Sequence, residues 1–178
     1  MDCQAVSEDI VIVAPRLPEA AGEAAYSAYE IDTVVLEAAT RLDEALRTAP
    51  GVSTFRRNDS AAANPTIQGL SIRASAPSGA GRALVTLDGQ PLNDPFGGWV
   101  IWGAMLPETI SGATILRGAG AGPYGAGALT GTVQLDERRS QGAVLSLESG
   151  DRGYVRAAGV GEAHGDAWSF MLAAAAQQ

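Results

Sequence analysis

Apolar residues recur at helical spacing in one short segment of the first third of the chain. Four of them occupy positions i, i+3, i+4 and i+7 and therefore share one helix face: Leu42, Ala45, Leu46 and Ala49. Thr40 precedes them as a capping residue, with Asp43 as the acid of a capping box, and a Pro-Gly pair follows them as a stop signal. The pattern predicts a short amphipathic helix within residues 40–51 whose apolar face lies on a sheet.

Five segments rich in β-branched and apolar residues are predicted strands, separated by loops rich in Gly, Ala, Ser and Pro. They cover residues 52–56, 66–73, 82–87, 112–116 and 131–135. The third segment runs directly into Asp88-Gly89, a pair that is typical of tight turns. Together with the helix, these segments predict a small mixed-sheet α+β domain with short helices over residues 31–137.

The hydrophobic pattern changes after residue 137, where apolar and polar residues begin to alternate. The alternating segments are residues 143–149, 154–161 and 167–176, and turn-forming residues lie between them at 150–153 and 164–166. This arrangement predicts consecutive antiparallel strands, and three strands are too few to close a barrel. Because the pattern is still running at Gln178, we expect the chain to be a truncated product.

The first 30 residues carry no amphipathic pattern. Residues 10–13 are apolar and mostly β-branched, which suits either an ordinary first strand or an extended segment that pairs with the sheet edge of a partner. Residues 14–30 are rich in Ala, Glu and Pro without periodicity and are predicted to be a linker. No secretory signal is visible, because the N-terminus carries negative charge where such a signal carries positive charge.

Composition removes several classes of function. The 12 basic and 20 acidic residues give a net charge of −8, and every basic residue is an arginine. Without lysine the chain can form neither a Walker-type phosphate loop nor a Schiff base, and its acidic balance argues against nucleic-acid binding. One histidine and one cysteine are too few for a protein-built zinc site or an internal disulfide, so we expect no metal site and no cofactor. The longest charge-free run, residues 118–135, contains six glycines and a proline, which excludes a membrane-spanning helix but not spanning by strands.

No local motif supports catalysis. The glycine-rich segment 117–131 does not fit a phosphate-binding loop, because it has no lysine and Pro123 removes a backbone donor. We interpret it as a loop whose glycines allow positive φ angles and close backbone packing. Ser78 lacks the spacing of a nucleophile elbow, and His164 is expected to be an exposed residue of a turn.

Three aromatic residues lie close together in a loop rich in Gly and Pro. Phe96, Trp99 and Trp102 fall within seven residues. Such a group either fills a core or lines a recognition surface, and the sequence leaves both possibilities open.

Four motifs in this order resemble the plug domain of TonB-dependent outer-membrane receptors. Residues 9–14 resemble the TonB box, and residues 42–52 resemble the plug helix with the Pro-Gly-Val that follows it. Residues 82–94 resemble the central strand with its Asp-Gly-x-Pro-Leu-Asn-Asp turn, and residues 117–133 resemble the Arg-Gly … Tyr-Gly … Gly-x-Val signature. The resemblance implies a plug at 31–137, followed at 138–178 by the first strands of a truncated β-barrel, which in the family has about 22 strands.

The resemblance assigns a partner to the N-terminal segment. The TonB box would consist of six residues: Asp9, Ile10, Val11, Ile12, Val13 and Ala14. In the family this segment adds a strand to a periplasmic energy transducer of the TonB type, so that backbone hydrogen bonds supply the affinity. Residues 1–30 are accordingly expected to be the TonB-box segment and its linker.

The resemblance also assigns two arginines to the contact between the plug and its own barrel. Arg73 and Arg117 match the plug arginines that lock against barrel carboxylates. A buried arginine needs an acidic partner, and these partners would lie on barrel strands that this chain does not contain. We therefore expect both arginines to be exposed here.

The ligand and the location follow from the same resemblance. The loops at 74–81 and 93–102 are expected to approach a small-molecule ligand, with four candidate residues: Ser78, Phe96, Trp99 and Trp102. The ligand class stays open among metal chelates such as siderophores, vitamins and saccharides, and the resemblance places the protein in the cell outer membrane.

Two other classes of function are compatible with the sequence. One is a soluble periplasmic interaction or signalling module that uses the plug fold without a barrel, or else a non-functional gene fragment. The other is an enzyme, which would have to show hydrolytic activity that survives loss of His164. A gene that continues into further alternating strands would favour the receptor over both.

Overall fold

The described residues form two connected parts. The computed structural model describes residues 27–55, 67–72, 82–118, 125, 127–139, 142–165 and 168–177. We call residues 27–137 the plug portion and residues 142–177 the strand sheet. The predicted TonB box and the positions of Arg73 and Ser78 lie outside the described residues.

The plug portion is built around a five-stranded mixed sheet. In chain order the strands of the whole structure are β1 (Ser27–Ile31), β2 (Val52–Thr54), β3 (Ile67–Gln68), β4 (Leu70–Ile72), β5 (Ala83–Leu87), β6 (Gln90–Pro91), β7 (Val100–Ile101), β8 (Ile110–Arg117), β9 (Gly131–Glu137), β10 (Gly142–Ser149), β11 (Val155–Gly165) and β12 (Trp168–Gln177). The central sheet has the order β1-β8-β9-β5-β6, in which only β5 and β9 run parallel. Two small antiparallel pairs, β2-β4 and β3-β7, complete the portion. The α+β architecture with a mixed sheet is therefore as predicted.

One strand lies where the sequence predicted a linker. β1 occupies residues 27–31 and pairs with β8 along its whole length, from Ser27 opposite Arg117 to Ile31 opposite Ala113. The linker prediction for residues 14–30 is therefore wrong at its end. An edge strand gains its stability from backbone pairing with one neighbour, and β1 exposes most of its side chains, so it needs no alternating pattern.

Two six-residue helices pack with the sheet. The predicted helix corresponds to α2 (Leu42–Arg47), and its four apolar positions are at most 2% exposed. The other helix, α1 (Thr33–Ala38), was not predicted; it begins after Asp32, whose side chain accepts a hydrogen bond of 2.9 Å from the backbone N–H of Val34. Among the described residues, no helix is long and apolar enough to cross a membrane.

The predicted capping of α2 is wrong in its details. Arg41 is the N-cap and its side chain caps nothing, while Glu44 accepts the backbone N–H of Thr40 at 3.2 Å. Asp43 does not serve as the capping acid because its side chain turns inward, where it is fully buried and accepts a hydrogen bond of 3.0 Å from Nε2 of Gln68. The acid that reaches back to the helix start is thus one residue later than expected.

The apolar core lies between the sheet and the two helices. Its buried members come from β1, the helices, β4, β5, β7, β8 and β9, and they include Trp102, which is fully buried. Every member of this core lies between residues 31 and 135. The core therefore belongs to the plug portion alone.

The strand sheet is a separate antiparallel sheet with the order β10-β11-β12. The alternating pattern after residue 137 predicted these strands. β11 is longer than predicted, because His164 belongs to it and pairs with Ser169 rather than forming a turn, although it is exposed as expected. The three strands leave the sheet open.

Candidate functional site

A tight turn joins β5 to β6 at one end of the central sheet. Asp88 has a φ of 48° and Gly89 a φ of 82°, which are the positive values that a two-residue hairpin turn of this type requires. Oδ1 of Asp88 accepts the backbone N–H of Glu137 at 3.1 Å, and its Oδ2 forms an ion pair with Arg139. The turn thus attaches the segment that leads from the plug portion into the strand sheet.

The loop after β6 is held by the side chain of one asparagine. Oδ1 of Asn93 accepts the backbone N–H of Val85 at 2.7 Å, and its Nδ2 donates to the carbonyl oxygens of Ala83 at 3.1 Å and Gly98 at 2.9 Å. All three of these hydrogen bonds join the Asn93 side chain to backbone groups, and two of the groups belong to β5, so they hold the loop against that strand.

The neighbouring aspartate shapes the tip of the same loop. Oδ1 of Asp94 accepts hydrogen bonds from the backbone N–H groups of Phe96 at 3.0 Å and Gly97 at 2.6 Å. The backbone carbonyl oxygen of Asp94 accepts a further hydrogen bond from the backbone N–H of Gly98 at 2.8 Å. The ring of Trp99 lies against Gly97 so closely that a Cβ at that position would overlap it. The tip is consequently a compact, hydrogen-bonded turn.

The structure separates the three aromatic residues that the sequence grouped. Phe96 is 98% exposed at the tip of the loop, and Trp99 is half-buried beside it. Trp102 is fully buried in the core, where its Nε1 donates a hydrogen bond of 2.9 Å to the carbonyl of Gln68. The prediction that Trp102 lies near a ligand is therefore wrong, because its ring has no exposed surface; Phe96 and Trp99 remain available on the loop.

The prediction that Arg117 is exposed is wrong. Its guanidinium carbon lies 5.6 Å from the centroid of the Tyr29 ring, which is a cation–π distance, and the residue is half-buried at the end of β8. Its Nε is buried and has no hydrogen-bond partner among the described residues. The arginine thus packs on the edge strand β1. Arg73 and Ser78, the other two predicted site residues of this region, lie outside the described residues.

A buried ion pair connects the plug portion to the strand sheet. Glu108 lies in a 3-10 turn (Pro107–Thr109) and is 4% exposed, and Arg156 lies in β11 and is 1% exposed. The two side chains form two hydrogen bonds, from Nη1 to Oε1 at 2.7 Å and from Nη2 to Oε2 at 3.0 Å. Nη1 also contacts Glu148 at 3.2 Å, and the Ser146 hydroxyl donates to Glu108. We call these four residues the polar cluster.

The polar cluster keeps Glu108 ionised. Burial alone would raise the pKa of this carboxyl, but the hydrogen bonds from Arg156 and Ser146, together with the positive charge of Arg156, outweigh that effect. The pKa of Glu108 therefore lies below its ordinary value of 4.5. The carboxylate is charged at neutral pH and needs its guanidinium partner.

Sequence reasoning did not find this pair. Its two members are 48 residues apart and belong to different parts of the fold, so no local spacing joins them. The expected plug-to-barrel contact had arginines on the plug, whereas here the plug supplies the carboxylate and the strand supplies the arginine. One signal was available: Arg156 is the only charged residue between 155 and 161, in an otherwise apolar segment.

A cleft of about 540 Å³ lies where the two parts meet. Its polar lining consists of Glu137, Arg138, Arg139, Glu162, His164 and Ser169. Both arginines already have acidic partners, since Arg138 lies 3.2 Å from Glu37 and Arg139 pairs with Asp88. Within the described parts of the chain, no group of three or more metal-binding side chains is suitably placed for a metal ion.

Known structures share this fold. The unliganded ferric citrate transporter FecA matches with a TM-score of 0.61 and 18% identity, over 85% of this chain and 25% of that one. A mutant of the ferric enterobactin receptor PfeA from Pseudomonas aeruginosa matches with a TM-score of 0.59 and 16% identity, over 84% and 24%. The siderophore receptor PirA from Acinetobacter baumannii matches with a TM-score of 0.57 and 20% identity, over 84% and 24%. The chain thus spans about a quarter of the length of these proteins.

Sequence comparison gives the family. A search of curated protein sequences finds no match. The model of the TonB-dependent receptor plug domain, by contrast, matches residues 21–132, which is more than half of the chain. The mixed sheet, its short helices and the strands that follow agree with this match, and the chain therefore belongs to the TonB-dependent receptor plug family.

Proposed function

We propose that this chain is the plug and the first barrel strands of an outer-membrane receptor that gates energy-coupled uptake of a small-molecule ligand. The observation that carries the proposal is the two-faced strand sheet attached to a plug-family fold. One face of that sheet is apolar and exposed, and the other carries the charged residues that meet the plug.

The outward face is suited to lipid. Six large apolar residues on it are between 52% and 75% exposed: Leu145, Leu147, Val155, Trp168, Phe170 and Leu172. The residues that pair with them on the same face are small, and none of the described residues on this face is charged. Exposed apolar surface is unfavourable in water by roughly 25 cal/mol per Å², so a face of this kind favours the hydrocarbon region of a membrane.

The inward face has the opposite character. Ser146 and Glu148 of β10 and Arg156 and Glu162 of β11 alternate with the outward residues. Alternation of apolar outward and polar inward side chains is typical of strands in a transmembrane barrel. The arrangement also argues against a soluble periplasmic module, because such a protein would leave the apolar face in water.

Energy coupling is proposed for the N-terminal segment. Residues 9–14 would add a strand to the periplasmic domain of a TonB-type transducer, with the segment up to residue 26 as the tether to β1. β1 is the first described strand and lies at the edge of the central sheet, so a force applied through the tether would reach the plug there.

The ligand is proposed to be a ferric chelate of the siderophore class. Two of the matching structures are described as a ferric citrate transporter and a ferric enterobactin receptor, and a third as a siderophore receptor. Phe96 and Trp99 would contribute aromatic surface on a loop that Asn93 and Asp94 hold rigid. Ser78 would approach the ligand from the neighbouring loop, and Arg73 and Arg117 would serve as lock residues against further barrel strands.

The proposed role is binding and gating rather than catalysis. The matching structures are named as transporters and receptors, and the site residues offered here bind partners instead of activating a nucleophile. No cofactor is proposed.

The proposal is tested by titrating the detergent-solubilised chain against the periplasmic domain of a TonB-type transducer. We expect saturable binding that is abolished by deletion of residues 9–14 and weakened by Val11→Pro, which removes a backbone donor from the added strand. Val34→Ala, an exposed change on α1, is the matched control and should bind like the unaltered chain. Equal binding by the deletion variant, or none by a folded chain, would contradict the proposed coupling role.

A further inference from the structure

One carboxylate lies on a helix whose other buried residues all belong to the apolar core. Asp43 of α2 is fully buried, and its Oδ2 accepts a hydrogen bond of 3.0 Å from Nε2 of Gln68, which is itself buried. The backbone carbonyl of Gln68 in turn accepts the indole N–H of Trp102 at 2.9 Å. We call these three residues the core network. Because a carboxylate is costly to bury, its presence among core residues needs a reason other than packing.

The core network holds a pair of strands that is too short to fix its own alignment. β3 and β7 have two residues each, with Ile67 opposite Ile101 and Gln68 opposite Val100. A pair of this length makes few backbone hydrogen bonds and specifies its register weakly. Gln68 belongs to β3 and Trp102 directly follows β7, so the network ties both strands of the pair to α2.

The same strand pair holds one end of the loop that carries Phe96 and Trp99, which we call the aromatic loop. The other end of this loop is tied to β5 by the side chain of Asn93. β7 begins at Val100, directly after Trp99, and in the described sheets it pairs with β3 alone. The position of Trp99 therefore depends on where Gln68 is held.

The second loop that is proposed to approach the ligand, residues 74–81, starts from the same place. It follows β4, whose first residue, Leu70, lies two positions after Gln68. At its far end, the backbone N–H of Arg82 donates to the carbonyl of Leu70 at 3.3 Å. The loop itself lies outside the described residues, but the segments that flank it meet at β4. Both proposed ligand loops thus have their bases on residues 67–72.

We infer that Asp43 is a positioning residue for ligand binding: through Gln68 it sets the place of β3, and β3 sets where the aromatic loop and the base of loop 74–81 lie relative to each other. Asp43 is fully buried and would touch no ligand in this role. The inference deepens the proposed function and rests on it, because it names the buried residue that fixes the geometry of the same loops.

The test observes the indole N–H groups of the three tryptophans by proton–nitrogen correlation spectroscopy of the full chain in detergent. Trp102 reports on the core network, Trp99 reports on the aromatic loop, and Trp168, in the strand sheet, is an internal reference. Single Trp→Phe substitutions assign the three resonances. The measurement contains neither ligand nor transducer, so its failure is distinguishable from a failure of the proposed function.

Gln68→Glu places a second carboxylate against Asp43. At pH 8 it should raise the hydrogen-exchange rate of the Trp102 indole about tenfold or more and should split or broaden the Trp99 resonance. Asp43→Asn added to Gln68→Glu exchanges the donor and the acceptor of the same hydrogen bond, and should restore both resonances. Ala45→Gly is the matched control, because it weakens α2 without removing either hydrogen bond, and should leave Trp99 unchanged. Trp168 should not change in any of these variants.

Gln68→Met covers the case in which Gln68→Glu does not fold, because it removes the amide donor without adding a charge, and it should disturb Trp99 in the same way. An unchanged Trp99 in a folded Gln68 variant, a double variant that does not restore it, or an equal change in Ala45→Gly would overturn the inference. A parallel change at Trp168 would show general loosening and would overturn it as well. So would a failure of both Gln68 variants to fold, because the network would then support the core rather than the loops.

Discussion

At the scale of single residues, the plug portion is fixed by a few polar side chains that satisfy buried backbone groups. Asn93 is the clearest example, because one side chain binds backbone groups of Val85, Ala83 and Gly98. Sequence reasoning placed this residue in a turn motif but could not assign its bonds, since the partners are five to ten residues away and depend on the path of the loop. Glu108 and Arg156 are a stronger case, because their contact exists only in the folded chain.

Replacing Asn93 tests this interpretation. Asn93→Ala removes three hydrogen bonds to the backbone, each contributing about 1 kcal/mol, so we expect the free energy of unfolding to fall by about 2–3 kcal/mol. Denaturant titration followed by tryptophan fluorescence, to which the buried Trp102 contributes, measures the change. Gln90→Ala, at an exposed position of β6, should change it by less than about 0.5 kcal/mol. Equal effects of the two substitutions would refute the assignment.

Glu108 gives the chain a defined acid sensitivity. Its pKa is lowered in the folded state, so the stabilisation it confers is complete above the ordinary value of 4.5 and is lost as the pH falls through the lowered folded-state pKa. Glu108→Gln should therefore be less stable than the unaltered chain at pH 7, and the difference should shrink in acid. Glu148, the other carboxylate in contact with Arg156, is present in both proteins. Unfolding curves from pH 7 to pH 3 measure the difference, and a gap that stays constant with pH would exclude this role.

At the scale of secondary structure, the sequence predicted elements well where local pattern and packing agree. α2 was predicted because its apolar residues all face the core, and β5 because its strand pattern ends in Asp88-Gly89. α1 and β1 were missed for opposite reasons. α1 has two adjacent valines in only six residues, which resembles a strand, whereas β1 shows no alternation because it is an edge strand paired on one side.

The glycines of segment 117–131 were predicted to adopt positive φ angles, and three of the described ones do so. Gly118, Gly125 and Gly131 all have positive φ values, as expected for a loop that needs glycine. At Gly131, where φ is 151°, an added Cβ would also overlap the carbonyl oxygen of Leu116. The close approach of β8 and β9 thus depends on the absence of a side chain.

Gly131→Ala should accordingly be among the more damaging single changes in the plug. Both the backbone angle and the overlap with Leu116 oppose it, so we expect a loss of about 3 kcal/mol or more in the free energy of unfolding. Gly161→Ala is the matched control, because a Cβ there would meet nothing within 4 Å. Thermal or chemical denaturation of both variants decides the matter, and a control that is as unstable as Gly131→Ala would show that the damage is not due to the overlap.

At the scale of the whole molecule, the chain combines two parts that bury different surfaces. The plug portion has a complete apolar core, while the strand sheet exposes an apolar face and directs its charges toward the plug. Sequence alternation predicted the strands of this sheet but could not show which face meets the plug, because a shift of one residue in register would exchange the faces. In the structure, the face that carries Arg156 is the one that meets the plug.

The last prediction concerns binding of the apolar face to a membrane. Leu147, in the edge strand β10, is 74% exposed on that face, and Leu147→Arg would place a charge in lipid, which costs about 2–4 kcal/mol at the depth of the bilayer midplane. We expect the variant to float with lipid vesicles at least tenfold less than the unaltered chain, whereas Gln90→Arg, at an exposed position of the plug, should float normally. Circular dichroism of both variants in detergent confirms that they fold before the vesicles are added. Normal flotation of folded Leu147→Arg would mean that the exposed face does not contact lipid, and the same face would then have to be covered by protein.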